Sequence, residues 1–290
     1  MSQPAEQAYR ATLATLRKAR LVYGHGTRNA ADEAAYLVCH VLRITPGTLP
    51  EHRGKILSAA QQRRLEKLVQ RRIAERIPVA YLTHEAWLGE YSFYVDRRVI
   101  VPRSHIAELL RDRLRPWLPR PPARILDLCT GSGCLAILAA HAFPRAHVDA
   151  ADLSRAAIAV ARRNIARHGL EKRIRLHQGD LFAPLDGNRY DLILCNPPYV
   201  TARAMQRLPA EYRREPALAL DGGQDGLSIV RRILEIYCNY MTNKSILVCE
   251  IGARRRAVEC AFPALPFTWL ETSAGSNEVF LIEHAGLPRE

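Results

Sequence analysis

The sequence predicts an α/β fold, in which a seven-stranded doubly wound sheet follows a small helical domain and a connecting β-hairpin. Three observations support this prediction. Apolar residues recur every three or four positions from Ala8 to about Arg76, which is typical of amphipathic helices. Aromatic and β-branched residues then dominate a short stretch between Pro78 and Val101. After the proline-rich stretch 116–122, short apolar runs alternate with helical segments, as in parallel sheets.

The first predicted domain, residues 1–83, consists of helices. Glycines and prolines interrupt its periodicity at three places between residues 24 and 50, which indicates about four helices. Asn29 or Thr27 is the expected N-cap of the second helix, because short polar side chains accept hydrogen bonds from the free amides of a first helical turn.

A connecting β-hairpin is predicted for residues 84–103. Its strand-like runs are 87–88, 91–95 and 99–101. The polar residues Asp96–Arg98 separate the second run from the third, and we therefore expect the turn of the hairpin there.

The third predicted domain, residues 104–290, contains seven strand candidates. They are 124–128, 146–152, 174–176, 190–195, 245–250, 267–270 and 278–282. The last two are close enough in sequence to pair as an antiparallel edge. Between the second and third candidates we expect a helix that begins after Ser154 and ends before Gly169, since serine is a favoured N-cap and glycine a favoured C-terminal stop.

The amino-acid composition indicates what kind of partner the protein binds and in which compartment it works. The chain has 290 residues with 42 Lys+Arg against 29 Asp+Glu, a net charge of +13 that favours an anionic partner such as RNA or a ribonucleoprotein. No apolar run approaches the roughly 18 residues of a membrane helix, and the first 15 residues do not resemble a secretory signal. Seven cysteines without a Cys-x-x-Cys pair indicate reduced thiols. Cytoplasm is the expected location.

No metal site is predicted. Cys129 and Cys134 lie five positions apart without histidines that would complete a zinc pattern, so core packing explains them better. His84 and Glu85 begin like a zinc-protease helix motif, but Leu88 occupies the place of its second histidine.

A glycine-rich loop follows the first strand of the sheet. Doubly wound sheets bind ligands at the carboxyl ends of their strands, and Gly131 and Gly133 leave space for a ligand to approach the backbone there. Gly131, Gly133 and Ala136 also match the dinucleotide pattern G-x-G-x-x-G/A, with Asp152 at the right distance to hold a ribose. A NAD-dependent dehydrogenase is therefore one alternative.

Three acidic residues favour S-adenosylmethionine over a dinucleotide. Asp127, just before the loop, would repel a pyrophosphate but could meet the amino group of a cationic amino-acid cofactor. Asp152 can accept hydrogen bonds from both ribose hydroxyls, and Asp180 can face the adenine amine. A single acid at a strand end is usually a helix cap or a turn residue, but three at successive strand ends indicate a ligand site.

The most specific motif is Asn196-Pro197-Pro198-Tyr199, which follows the fourth strand. A carboxamide nitrogen is a poor nucleophile because its lone pair is delocalised, so it must be held with that lone pair towards the methyl donor. The Asn196 side-chain oxygen and the Pro197 carbonyl can each accept one N–H of an NH₂ group, and Tyr199 can pack on the flat acceptor. Such catalysis relies on positioning and charge complementarity and needs no general base.

These motifs resemble those of the protein-(glutamine-N(5)) methyltransferase family, and the resemblance covers nearly the full length. It rests on the Asn-Pro-Pro-Tyr motif and on 76–83, 93–96, 101–104 and 220–227. It implies a class I S-adenosylmethionine methyltransferase sheet. Residues 102–109 resemble the branch that methylates a glutamine of ribosomal protein L-three more than the release-factor branch, although His105 stands where a proline is usual.

The resemblance completes the predicted site. The predicted catalytic residues are Asn196, Pro197, Pro198 and Tyr199. The predicted cofactor-binding residues are Arg103, Asp127, Thr130, Gly131, Ser132, Gly133, Asp152, Leu153, Asp180, Leu181 and Asn196. For Arg103, a surface ion pair is an equal alternative.

The resemblance also implies a partner. The helical domain is expected to recognise a ribosomal protein of the large subunit, with ribosomal RNA nearby and no membrane. Two alternatives remain for the acceptor: a release-factor glutamine, and an exocyclic amine of RNA or DNA. The sequence disfavours an RNA or DNA amine as the acceptor, because a flipped base needs an aromatic-lined pocket and only 7% of the residues are aromatic.

Overall fold

The computed structural model describes residues 3–284, and the change from helical to strand periodicity separates two units in it. The first unit runs to Ala86 and also includes Val95–Arg97 and Leu208–Arg214. The second comprises the remaining residues. The domain limits 1–83, 84–103 and 104–290 stay predictions, and residues 1–2 and 285–290 at their outer ends lie outside the described part.

The first unit is helical, as predicted. Its elements are β1 (Gln3–Pro4), α1 (Ala5–Lys18), α2 (Ala30–Leu42), β2 (Ile56–Leu57), α3 (Ala59–Glu75) and α4 (Val79–Thr83). Asn29 is the N-cap of α2, since its side chain accepts hydrogen bonds from the backbone amides of Ala31 and Asp32 at 2.8 and 3.0 Å. Ser58 and Gln61 form a reciprocal capping box at the start of α3.

A buried ion pair network lies within this helical unit. Arg72 on α3 has no exposed side-chain surface, and its Nε lies 2.7 Å from Glu33 Oε1 on α2. Arg72 Nη1 lies 3.4 Å from Glu211 Oε1, and Arg76 Nη1 reaches the same oxygen at 3.3 Å. Glu33 and Glu211 are each 2% exposed. Two arginines therefore balance two buried carboxylates, and segment 208–214 is attached to the helices through Glu211.

The connecting hairpin is present, but its turn was predicted at the wrong place. Strands β3 (Ala86–Leu88) and β4 (Tyr91–Phe93) pair with each other, so the chain reverses at Gly89, whose φ of +63° suits a tight turn. Residues 99–101 form no strand. The alternation of Val99 to Val101 reflects burial of its two valines in irregular structure rather than strand pairing.

The seven predicted strands of the main sheet are all confirmed. They are β5 (Arg124–Leu128), β6 (His147–Asp152), β7 (Ile174–Gln178), β8 (Tyr190–Cys195), β9 (Met241–Glu250), β10 (Thr268–Thr272) and β11 (Gly275–Glu283). Their order is β10-β11-β9-β8-β5-β6-β7. The five strands β9, β8, β5, β6 and β7 are parallel to one another, and β11 pairs antiparallel with both β9 and β10. The sheet is doubly wound and ends in the predicted antiparallel edge.

Helices cover the sheet. They are α5 (Ile106–Arg111), α6 (Cys134–Ala142), α7 (Arg155–Arg167), α8 (Ala202–Met205), α9 (Ser228–Ile236) and α10 (Arg255–Ala261). As predicted, the Ser154 hydroxyl caps α7 by accepting from Ala157 N at 3.2 Å, and Gly169 follows its end with a φ of +66°. Successive residues of the central strands face two separate apolar cores, so these strands are buried on both faces.

Two absences concern residues 3–284 alone. None of the helices there combines the length and apolar character that crossing a bilayer requires. No group of three or more His, Cys, Asp or Glu side chains in those residues is arranged to hold a metal ion.

We expect Arg72→Met to lower the free energy of unfolding by about 3 to 5 kcal/mol, because it leaves a buried carboxylate without its counter-charge. Denaturant unfolding followed by circular dichroism measures the change. Arg71→Met is the matched control, since Arg71 is next to it on α3 but forms a half-exposed pair with Glu75. Equal stability of the two variants would show that the buried network does not hold the helical unit together.

Candidate functional site

The carboxyl ends of four parallel strands meet at one edge of the sheet. Leu128 at the end of β5 lies opposite Ala151 on β6 and Cys195 on β8, and Cys195 lies opposite Cys249 on β9. The loops that follow these strands are consequently neighbours. This edge is where a doubly wound sheet binds its ligands.

The glycine loop after β5 requires its two glycines. Gly131 and Gly133 have φ values of +55° and +81°, in the left-handed region that favours glycine. A Cβ on Gly133 would lie 3.2 Å from the Cβ of Ala161 on α7, so this glycine also permits close packing of that helix. The N–H of Thr130 donates to the Ala151 carbonyl at 3.0 Å and attaches the loop to β6.

Asp127 lies beneath this loop with 1% of its surface exposed. Its Oδ2 accepts hydrogen bonds from the Thr130 hydroxyl and, at 3.0 Å, from the backbone N–H of Ala136 on α6. Its Oδ1 is buried and has no hydrogen-bond partner among the described residues. Burial raises the pKa of Asp127 to about 7. The carboxyl group thus shapes the loop and retains one acceptor oxygen.

Thr130 and Ser132 lie within the glycine loop, on either side of Gly131. Both are buried. The Ser132 carbonyl accepts from Asn164 Nδ2 at 2.9 Å, and Asn164 also exchanges hydrogen bonds with both backbone groups of Tyr94, at 2.7 and 3.0 Å. Ser132 thus holds the loop through its backbone carbonyl, and Thr130 does so through its hydroxyl on Asp127. Direct cofactor contact stays a prediction for both residues.

Asp152 at the end of β6 is connected to the glycine loop directly. Its Oδ2 accepts from the N–H of Gly131 and its Oδ1 from the N–H of Ser154, both at 2.8 Å. Burial raises its pKa, and these two amides act in the opposite direction. Each oxygen retains a second lone pair for a ligand hydroxyl. The next residue, Leu153, is 52% exposed and presents an unusual apolar surface beside that carboxylate.

Asp180 and Arg103 each have an ionic partner that the sequence did not reveal. Asp180 Oδ2 lies 2.7 Å from Arg232 Nη2, and both side chains are about half exposed. Arg103 forms a bidentate pair with the buried Glu215, with both distances at 2.6 Å. Contact of either residue with a cofactor stays a prediction. Leu181, which follows Asp180, is 8% exposed and has a φ of +48°.

The Asn-Pro-Pro-Tyr motif follows β8 immediately and offers two free acceptors. Pro197 is buried, whereas Asn196, Pro198 and Tyr199 are half-buried. Within residues 3–284 neither the Asn196 carboxamide nor the Pro197 carbonyl has a hydrogen-bond partner. Both oxygens are therefore available to accept the two N–H groups of an external NH₂ group.

The polar loop 221–226 and Gly252 fit closely around Tyr199. A Cβ on Gly222 would lie 2.7 Å from Tyr199 Cα, one on Gly226 would lie 2.4 Å from its carbonyl oxygen, and one on Gly252 would lie 2.7 Å from its ring. Backbone hydrogen bonds between Val200 and the 220–222 segment, at 2.8 and 2.9 Å, hold the two loops together. These glycines therefore fix the backbone and the ring that follow the two acceptors.

Glu250 at the end of β9 is a site residue that sequence reasoning missed. It is 1% exposed, and its Oε2 accepts from the Ser104 hydroxyl at 2.7 Å and from the His105 N–H at 2.9 Å. Its Oε1 lies 3.5 Å from the Tyr199 hydroxyl. Burial raises the pKa of Glu250. The sequence contained a signal for it, because Glu250 ends its predicted strand as Asp152 does, and Asp127 lies one residue before the end of its own.

His105 acquires a specific role from this contact. A proline at its position would have no N–H to donate to Glu250. The imidazole of His105 also lies between two acids, with Nδ1 3.2 Å from Glu108 Oε1 and Nε2 3.6 Å from Glu278 Oε2. Where a proline would restrict the backbone, His105 instead fixes this position through hydrogen bonds and ionic contacts.

The cysteines at this edge are packing residues. Cys195 and Cys249 are fully buried, and burial raises the pKa of Cys195. A thiol that stays protonated is a poor nucleophile. Cys195 is therefore poorly suited to act as a nucleophile.

Comparison with known proteins agrees with this geometry. The family model described as Methyltransferase small domain matches residues 108–214, and the model described as PrmC N-terminal domain matches residues 7–83. Among solved structures, a methyltransferase from Pyrococcus furiosus aligns with a TM-score of 0.51 at 16% identity, over 78% of this chain and 99% of that one. This likeness supports the methyltransferase fold.

Curated relatives are much closer in sequence. The ribosomal protein uL3 glutamine methyltransferase of Bordetella pertussis is 50% identical over 282 residues, which cover 97% of this chain and 95% of that protein. The protein of the same description from Neisseria meningitidis serogroup A is 51% identical over 267 residues, or 91% of this chain and 88% of that protein. With half of its residues identical over nearly its whole length, the chain belongs to the family of ribosomal protein uL3 glutamine methyltransferases.

Proposed function

We propose that the chain transfers a methyl group from S-adenosylmethionine to the side-chain amide nitrogen of a glutamine in ribosomal protein uL3. The pair of unpartnered acceptors, the Asn196 carboxamide and the Pro197 carbonyl, carries this proposal. The pair lies at the end of β8, beside the glycine loop at the end of β5. A clamp for an NH₂ group thus lies next to a cofactor loop.

The residues of the glycine loop fit S-adenosylmethionine. This cofactor supplies a methyl group on a positively charged sulfur. The second lone pairs of Asp152 would accept the ribose hydroxyls, and the exposed Leu153 would cover the apolar face of the base. The unpartnered Oδ1 of Asp127 supports a positively charged neighbour, because a buried carboxylate oxygen without a partner is costly.

A dinucleotide fits the same edge less well. Two carboxylates, those of Asp127 and Asp152, already lie beside the glycine loop. Asp152 already accepts from the N–H of Gly131, and Asp127 beneath the loop would repel a pyrophosphate bound to the remaining amides. The dehydrogenase alternative is therefore disfavoured.

In this proposal the enzyme accelerates the reaction by holding the glutamine amide in the correct orientation to the methyl group. Asn196 Oδ1 and the Pro197 carbonyl would each accept one N–H of the glutamine amide, which orients its nitrogen towards the methyl group. Tyr199 would pack on the amide plane, and the three glycines around it fix its position. The nitrogen sheds one proton to water after the transfer, so no residue of raised basicity is needed.

A nucleic-acid base is a weaker alternative acceptor. Tyr212 is the nearest aromatic to Tyr199 along the chain after it. It belongs to the helical unit, where its ring contacts His25 at a tilt of 51° with ring centroids 4.3 Å apart. A second stacking platform for a flipped base is thus missing from this stretch of the described chain. The release-factor branch is disfavoured by the curated relatives, which are named for uL3.

The substrate is tested with purified components. We expect a labelled methyl group from S-adenosylmethionine to enter purified uL3 on one glutamine, to survive nuclease, and to appear far more slowly in a release factor. Peptide mass spectrometry of the product identifies the residue. Label in the release factor alone, or label that nuclease removes, would overturn the uL3 assignment. The cytoplasmic location stays a prediction.

We expect Asp152→Ala to weaken binding of S-adenosylmethionine by about 1.5 to 3 kcal/mol, since a charged hydrogen-bond partner is lost. Isothermal titration calorimetry measures this as about a tenfold to hundredfold rise in Kd. Asp186→Ala is the matched control, because Asp186 is exposed and its carboxylate contacts only the next residue's amide among the described residues. An unchanged Kd with intact thermal unfolding would remove Asp152 from the cofactor site.

We expect Asn196→Ala to retain most cofactor affinity but to lose nearly all turnover, because the acceptor amide is no longer oriented. Single-turnover methylation of uL3 at saturating cofactor measures the rate. Asn243→Ala, at an exposed position of β9, is the control and should react at the wild-type rate. A near wild-type rate for Asn196→Ala would contradict the clamp.

A further inference from the structure

A second cavity lies at the opposite edge of the same sheet. It has a volume of about 780 Å³ and is lined by the amino-terminal residues of β5, β6 and β7 together with parts of α7 and the loop before β7. Because these strands are parallel, their amino ends lie at the edge away from the glycine loop and Asn196. The cavity is therefore separate from the methyl-transfer site.

The charged side chains that line this cavity are mostly basic. It includes five Lys and Arg side chains against Asp149 and Glu171. Asp149 is already shared between His177 Nε2 at 2.7 Å, the Tyr190 hydroxyl at 3.0 Å and Arg124 Nη2 at 3.3 Å. These contacts compensate the negative charge of Asp149, so it offsets little of the positive potential of the basic side chains in the cavity.

Two of the five cations are fixed in place by the fold. Arg173 Nη2 donates to the Ala140 and Phe143 carbonyls at 2.8 Å, at the end of α6. Arg124 donates to Asn188 Oδ1 at 2.7 Å as well as to Asp149. These contacts make the wall of the cavity rigid and leave the other three cations to face a ligand.

Arg162, Lys172 and Arg175 are those three cations, and we call the cavity they surround the basic cleft. All are exposed, and within residues 3–284 none of them is paired with a carboxylate. They come from α7, the following loop and β7. Charge on the edge strand β7 would discourage aggregation, which could account for Arg175. It does not account for two more cations on neighbouring elements.

We propose that the basic cleft binds the sugar-phosphate backbone of RNA. Three unpaired cations spread over three elements match a repeating chain of phosphates better than one compact anion. The described residues that line the cleft include no Phe, Tyr or Trp, and His147 is the single aromatic ring among them, so the cleft is suited to contact phosphates rather than to stack successive bases. The inference rests on the proposed function to the extent that RNA surrounds a ribosomal protein during assembly.

Binding of a short mixed-sequence RNA, measured by fluorescence anisotropy over a range of salt concentrations, tests this proposal. Arg162→Glu, Lys172→Glu and Arg175→Glu are combined in one variant. We expect its affinity to fall more than about tenfold and the slope of log K against log salt to shrink by about 2, the value for three lost phosphate contacts with a single strand.

The matched control combines Arg17→Glu, Arg63→Glu and Lys67→Glu. These are exposed cations of α1 and α3, and the charge change is the same. Equal losses in both variants would show that overall charge binds the RNA and would overturn the proposal. So would equally tight binding of polyglutamate, which would indicate an acidic polypeptide as the ligand.

Methylation of free uL3 keeps the two proposals distinguishable. We expect the cleft variant to methylate free uL3 at the wild-type rate, since the cleft lies at the other edge of the sheet. RNA affinity is measured without methyl transfer. The RNA result would therefore still test the basic cleft even if uL3 were not the substrate. An RNA affinity unchanged in the cleft variant would overturn the proposal outright.

Discussion

Carboxylates at the ends of parallel strands are the constraint on which the site depends. Asp127 connects its strand to the glycine loop and to α6, and Asp152 connects the same loop to the start of α7. Glu250 connects the 104–105 segment to its strand and lies near the Tyr199 hydroxyl. Each acid satisfies backbone or hydroxyl donors that would otherwise be unpaired at a loop. The loops of the site are therefore held by hydrogen bonds to carboxyl groups that the central sheet fixes in place.

A second constraint on the site is the close packing of glycines around Tyr199, which follows the acceptor pair. Gly222, Gly226 and Gly252 approach Tyr199 more closely than any residue with a Cβ could. The Asn196 and Pro197 oxygens thus belong to a backbone that has little freedom to move. Catalysis by orientation demands this rigidity, because small displacements of a reacting amide cost large factors in rate. The proposed catalysis therefore depends on fixed geometry and requires no general base.

Most of the sheet was predictable from the sequence, whereas the ionic contacts were not. Apolar runs bounded by turn residues located all seven strands, and Ser154 and Gly169 located α7, because these signals are local. The partners Arg232 of Asp180 and Glu215 of Arg103 lie 52 and 112 positions away, and no local pattern indicates such pairs. The hairpin turn was misplaced because Asp96–Arg98 is also polar, although Gly89 supplies the required φ.

The central claim is that Asn196 Oδ1 and the Pro197 carbonyl hold the amide that is methylated. A crystal structure of the chain with S-adenosylhomocysteine and a uL3 peptide containing the target glutamine tests it most directly. The account predicts that the glutamine nitrogen lies about 2.7 to 3.2 Å from both oxygens and faces the sulfur of the cofactor. A glutamine bound elsewhere, or an amide with its carbonyl rather than its nitrogen towards these oxygens, would contradict it.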